Sequence, residues 1–140
     1  VREVDGVKYY NDSIASSPTR TALGTLSLYS RKICIIAGGY DKHIPYEPLG
    51  PVINDKVKLL ILLGDTAPKI EKAVKEASNY DADEIEIVNV TNMEEAVAVA
   101  RERSTKGDIV SLSPASASFG LYKNFEERGN HFKSIVNALK

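Results

Sequence analysis

Three segments of this chain combine small residues, hydroxyls and charge in patterns suited to an anionic ligand. They are Asn11-Asp12-Ser13-Ile14-Ala15-Ser16-Ser17, Gly38-Gly39-Tyr40-Asp41-Lys42-His43 and Ser113-Pro114-Ala115-Ser116-Ala117-Ser118-Phe119-Gly120. In the first, Asp12 is an acceptor suited to a ribose hydroxyl or a magnesium-bound water. Ser17-Pro18 follows, with the signature of a helix N-cap and a proline at the first helical position. Free N–H groups at a helix start favour anions. Taken alone, the segment reads more simply as a turn and a cap. In the second, two glycines after an apolar run permit close backbone approach to a ligand. Lys42 adds a compact cation for a carboxylate or phosphate. A tight turn with a solvated lysine explains these residues equally well. The third places hydroxyls at Ser113, Ser116 and Ser118, which with backbone donors suit a carboxylate. Its proline and small residues make it stiffer than a plain connector requires.

Several other chemistries are set aside by the same reading. The chain has no Gly-x-Gly-x-x-Gly fingerprint and no Gly-Lys-Ser or Gly-Lys-Thr phosphate loop. No serine sits in a Gly-x-Ser-x-Gly elbow. His43 and His131 are not at ligand spacing from a carboxylate cluster and read as surface residues. Cys34 is the only cysteine, so it forms no internal disulfide, and it belongs to no Cys-His zinc pattern. Lying inside an apolar run, it reads as a buried, inert thiol. Tyr9, Tyr10 and Tyr29 read as packing residues with a wet hydroxyl. A net charge of -1 and a pI near 6.2 give no broad basic surface for nucleic acid. The apolar runs Ile33–Ala37 and Leu59–Leu63 are too short to cross a membrane. With no recognisable signal peptide, a reducing cytoplasm is the expected setting. The 140 residues, 43% hydrophobic and 26% charged, suit one globular domain over 1–140. Val1 opens in what reads as the middle of a strand, so a piece of a longer protein is expected.

The elements that must hold these segments follow from periodicity. Val1–Val4 and Val7–Tyr10 flank Asp5-Gly6, a strong hairpin signal. A helix is predicted from Ser17-Pro18 to about Tyr29. Buried strands are predicted at Lys32–Ala37 and Val57–Leu63, with a short helix near Glu47–Asn54 between them. Ala67–Ser78 reads as an amphipathic helix with Ile70, Ala73, Val74 and Ala77 on one face. Glu84–Val88 and Asp108–Leu112 read as strands around a helix Met93–Ser104 capped by Thr91. The last helix, Phe125–Leu139, has Phe125, Phe132, Ile135, Val136 and Leu139 as its apolar stripe. Alternating strands and helices imply an α/β fold: a mostly parallel sheet, helices on both faces, and an antiparallel opening hairpin strand. Ligands of such sheets sit beyond the C-terminal strand ends. Those ends carry the loops Asn11–Ser17, Gly38–His43, Gly64–Ala67, Val90–Asn92 and Ser113–Asn124.

The three polar segments appear in the order and spacing found in the C-terminal domain of the Mur ligases. The chain resembles that family over essentially its whole length. The residues that carry the resemblance are Asn11-Asp12-Ser13, Gly38-Gly39 with Lys42, and Leu112-Ser113-Pro114-Ala115. The last run continues to Lys123-Asn124-Phe125-Glu126-x-Arg128-Gly129-x-x-Phe132 and is the most specific. Within the family the similarity is greatest to members that add D-glutamate. The resemblance implies a Rossmann-like fold and an ATP-dependent acid–amino-acid ligase of peptidoglycan precursor synthesis, serving cell wall, cell division and cell shape. In that reaction ATP phosphorylates the carboxylate of UDP-N-acetylmuramoyl-L-alanine, and the D-glutamate amine attacks the acyl phosphate. Mg2+ neutralises the phosphates. The partners implied are this ligase's own N-terminal UDP-binding and central ATPase domains. ATP and Mg2+ would be held mainly by the central domain, so residues 1–140 are expected to be inactive alone and to carry no catalytic residue.

By the same resemblance, Ser16, Lys42, Ser118, Phe119 and Phe125 bind the D-glutamate carboxylates, Phe119 through its backbone. Asp12 and Ser13 face ATP. A dicarboxylate needs a cation and oriented donors at both ends, with its amine neutral and aimed at the acyl phosphate. Some positions depart from the family pattern: Ile14 stands where lysine is common, Ser16 where threonine is, and Tyr40 where aspartate is. Two alternatives stand beside this reading. One is a stand-alone Rossmann-like module for small anions. The other is a ligase of the folylpolyglutamate synthase type, against which the Phe125–Gly129 motif argues.

Overall fold

A computed structural model describes residues 2–4, 6–11, 33–38, 46–47, 49–64, 66–112 and 125–138. The chain opens with β1, Arg2–Val4, and β2, Val7–Asn11, paired antiparallel with Val4 opposite Val7. Gly6 makes the turn with φ 81°, a left-handed conformation that costs glycine little. Strand β3, Ile33–Ala37, is buried at every position. Helix α1, Leu49–Lys56, leads into β4, Val57–Leu62, and helix α2, Ala67–Glu76, into β5, Glu86–Asn89. Helix α3, Met93–Arg103, leads into β6, Ile109–Leu112, and α4, Phe125–Asn137, closes the chain. The helix expected from Ser17-Pro18 lies outside the described residues.

The sheet order is β1-β2-β6-β3-β4-β5. Every pairing except β1–β2 is parallel, as the strand–helix alternation implied. The chain steps from β3 to β4 to β5, then α3 carries it back so that β6 enters between β2 and β3. That reversal divides the helices between two layers. Alternate residues of the central strands explain why both layers are dry. Ile33, Ile35, Ala37, Leu60 and Leu62 pack with Ile53 of α1 and Ile70 and Val74 of α2. Cys34, Ile36, Leu59 and Ile61 face the other way, toward Met93, Val97 and Ala100 of α3 and Phe132 and Val136 of α4. Strands covered on both faces carry continuous apolar runs, which is why β3 and β4 were legible.

Several local details differ from the sequence reading. Asn92, not Thr91, caps α3: its side chain accepts the Glu95 N–H at 2.7 Å. Thr91 lies one residue too early and instead donates its hydroxyl to the Glu95 carboxylate at 3.1 Å. Helix α2 stops at Glu76, because Ala77 turns to an extended ψ of 144°, so Ala77 does not join the buried face. The Tyr9 ring packs as expected, but its hydroxyl is buried rather than wet; the residue is 1% exposed. Tyr9 lies on a strand with neighbours on both sides, so the cluster against α4 encloses the whole side chain. His131 does sit at the surface, where Nε2 meets Glu94 Oε1 at 2.7 Å and joins α4 to α3.

Candidate functional site

The sheet assembles one edge from strands far apart in sequence. Asn11 of β2 pairs with Leu112 of β6, and Leu112 pairs with Ile36 of β3. Ala37, one residue further along β3, pairs with Leu62 of β4, and Leu62 with Asn89 of β5. All five parallel strands therefore end level. The three polar segments leave the ends of β2, β6 and β3, which are consecutive in the sheet. At about 4.8 Å per strand, these exits span about 10 Å. This is also where the strand order reverses, the usual ligand position in a sheet of this kind.

Of the seven predicted site residues, Asp12, Ser13, Ser16, Lys42, Ser118 and Phe119 lie outside the described residues. Phe125 is the first residue of α4. What the structure brings together is their framework: Asn11 immediately precedes Asp12, Gly38 stands four residues before Lys42, and Leu112 leads into the Ser118 segment.

Gly38 sharpens one expectation. Its φ of 112° excludes ordinary L side chains. A Cβ there would collide with the carbonyl oxygen of Leu63 and lie 3.1 Å from the Leu63 carbonyl carbon. The close approach that requires glycine at this position is made to Leu63, just beyond β4. The Leu63 N–H donates to Ala37 O at 3.1 Å, which holds the two strand ends in register. The loop bearing Lys42 therefore departs from a rigid point.

The opposite edge carries a different kind of chemistry. Asp108, just before β6, pairs with Lys58 of β4. It also accepts the Thr105 N–H at 2.7 Å and the Thr105 hydroxyl at 3.3 Å. Burial alone would raise this carboxyl, but the Lys58 and Thr105 hydrogen bonds outweigh it and hold it below the usual range. Cys34 lies near the same edge. Burial, first of all, pushes its thiol up, against a lowering contact with the Ser104 hydroxyl at 3.9 Å. Both groups are satisfied structural features, and Cys34 is the buried thiol its apolar run implied.

Arg128 is the residue the reading of the loops passed over. It is 2% exposed, the most deeply buried cation among the described residues. The signal was present in its spacing: Arg128, Phe132 and Val136 recur at i, i+4 and i+8, on the face of α4 that meets the core. Among the described residues no group of three or more His, Cys, Asp or Glu side chains converges as a metal site. None of the described helices is long and apolar enough to cross a membrane.

A mostly parallel sheet whose strand order reverses, with helices on both faces, defines an α/β domain of the Rossmann-like class. The family profile described as "Mur ligase, glutamate ligase domain" matches residues 1–116. The chain belongs to the Mur ligase family. It is 58% identical over 142 residues to a UDP-N-acetylmuramoylalanine--D-glutamate ligase of Acetivibrio thermocellus, covering 100% of this chain and 30% of that protein. It is 58% identical over 139 residues to the protein of that name from Clostridium botulinum strain Okra, covering 99% and 30%. The chain thus spans about 30% of the length of the curated relatives it matches.

Proposed function

We propose that residues 1–140 are one domain, the D-glutamate-binding C-terminal domain of a cytoplasmic ligase that joins D-glutamate to UDP-N-acetylmuramoyl-L-alanine. The observation that carries this reading is the level ending of β2, β6 and β3, the three strands that the polar segments follow in sequence. The names of the relatives at 58% identity support the choice of amino acid. Lys42, Ser16, Ser118, Phe125 and the Phe119 backbone hold the two carboxylates. The cation takes one end and the neutral donors complete the other, leaving the amine free to approach an acyl phosphate. Asp12 and Ser13 face the ATP side. ATP and Mg2+ are bound chiefly by the ligase's central domain, and Mg2+ there offsets phosphate charge. The UDP-sugar is held by the N-terminal domain. This chain's own contribution is position: it binds the nucleophile and orients it.

The test is kinetic and uses the whole ligase. Lys42→Ala should raise the KM for D-glutamate about 10- to 100-fold, the value of one charged hydrogen bond of about 1.5–3 kcal/mol. The KM for ATP should change little. An unchanged D-glutamate KM would remove Lys42 from the site. Residues 1–140 by themselves should show no Mg2+-dependent ATP turnover, and turnover by this piece would overturn the division of labour.

A further inference from the structure

A guanidinium that is 2% exposed has lost its water and must be met by groups of the protein, since an unpaired buried charge costs several kcal/mol. Arg128 is so engaged. Its place in the fold says what that engagement holds. Arg128 shares the inward stripe of α4 with Phe132 and Val136, both 0% exposed and packed against Val7, Tyr9, Val110 and Leu112 of β2 and β6. His131 fixes the height of α4: it pairs with Glu94, in the first turn of α3, which begins four residues after β5 ends at the ligand edge. Arg128 lies three residues nearer the start of α4, about 4.5 Å further along the helix. It therefore sits under the first turn, beside the strand ends from which two of the polar segments depart. Glu126 and Glu127, its neighbours in that turn, are exposed, so Arg128 is the charge on the inward side.

From this geometry we propose that Arg128 is a positioning residue for D-glutamate: it anchors the first turn of α4, and with it Phe125, to the ends of β2 and β6. A side chain this deeply buried is closed to a ligand, so Arg128 acts through the turn it holds and not by contact. The planar fork matters as well as the charge, because two or more donors fix orientation where a single ammonium fixes only distance. The inference rests on the D-glutamate reading above.

The experiment uses the full ligase with Arg128→Lys and Arg128→Met, measuring kcat and the KM for each of the three substrates, with thermal unfolding of each variant. The expected result is a D-glutamate KM raised at least tenfold in both, with kcat within about threefold and the KM for ATP and for the UDP-sugar unchanged. The lysine variant should keep most of the wild-type melting temperature, which separates positioning from simple loss of fold. A D-glutamate KM within twofold of wild type in either soluble variant overturns the inference. So does an equal rise in all three KM values, or insolubility of both variants, since each assigns Arg128 to the fold alone. Failure of the wild-type ligase to use D-glutamate would instead refute the functional reading.

Discussion

Replacing Gly38 with alanine tests whether the start of the Lys42 loop is as rigid as the geometry requires. Two costs combine. The backbone at φ 112° is strained for any residue with a Cβ, at about 1–3 kcal/mol. The added methyl also runs into the Leu63 carbonyl oxygen and crowds the Leu63 carbonyl carbon at 3.1 Å and nitrogen at 3.2 Å. These are backbone atoms held by the Leu63 N–H to Ala37 O bond, so they yield only if the end of β4 shifts. Overpacking of this sort costs about 1–3 kcal/mol. The two costs overlap, because one backbone movement relieves both, and a total of about 2–4 kcal/mol is expected. With a urea m-value of about 1–3 kcal/mol/M, the unfolding midpoint should fall by at least about 0.7 M. The assay is equilibrium urea unfolding of wild type and Gly38→Ala, followed by far-UV circular dichroism. In the whole ligase the same change should raise the D-glutamate KM, because the Lys42 loop then leaves from a displaced strand end. A midpoint within about 0.2 M of wild type would refute the reasoning, since the backbone would have absorbed a Cβ that the structure has no room for.

The other expectations are smaller or conditional on pH. Asn92→Ala should destabilise the chain by about 1 kcal/mol through loss of the α3 cap, seen as a lower melting temperature. Thr91→Ala, whose bond is only to the exposed Glu95 side chain, should cost less. Asp108→Asn should cost about 1–3 kcal/mol at pH 7, since Lys58 and Thr105 lose their charged partner. Because the folded-state carboxyl lies below its ordinary value, its contribution is complete above about pH 4 and fades as pH falls through the folded value. The stability gap between wild type and Asp108→Asn should therefore narrow in denaturant titrations taken from pH 6 down to pH 3, and a constant gap would contradict the assignment. The kinetic consequences of Lys42→Ala and of the Arg128 variants complete the set.

Much of the framework was legible in the residues because burial leaves a plain mark on composition. Ile33–Ala37 and Val57–Leu62 are continuous apolar runs for the reason that both faces of each strand are covered. Asp5-Gly6 between short strands declared a hairpin, and Gly6 takes the left-handed conformation that the turn demands. Helix ends were harder. Asn92 and Thr91 are adjacent polar residues of similar capping strength, and only the backbone geometry decides which side chain reaches the Glu95 N–H. Ala77 continues the apolar period of α2 but lies beyond its last turn. Tyr9 was legible as a packing residue, but not the depth at which its hydroxyl is enclosed.

The candidate site divides in the same way. Residue types alone marked the segments that follow Tyr10, Ala37 and Leu112 as suited to an anion, and their order along the chain carried the family resemblance. Short-range chemistry of that kind is written in consecutive residues. That the strands leading into these segments end at one edge is a long-range fact: β6 enters between β2 and β3, about a hundred residues after β2, and no local pattern states where a returning strand inserts. The burial of Arg128 is decided the same way, since the spacing that turns it inward gains meaning only once β2 and β6 lie beneath α4. Sequence determined which small, hydroxyl and charged residues follow these strands; the tertiary fold decided that the strands end side by side, because parallel pairing brings strand ends level regardless of their separation in the chain.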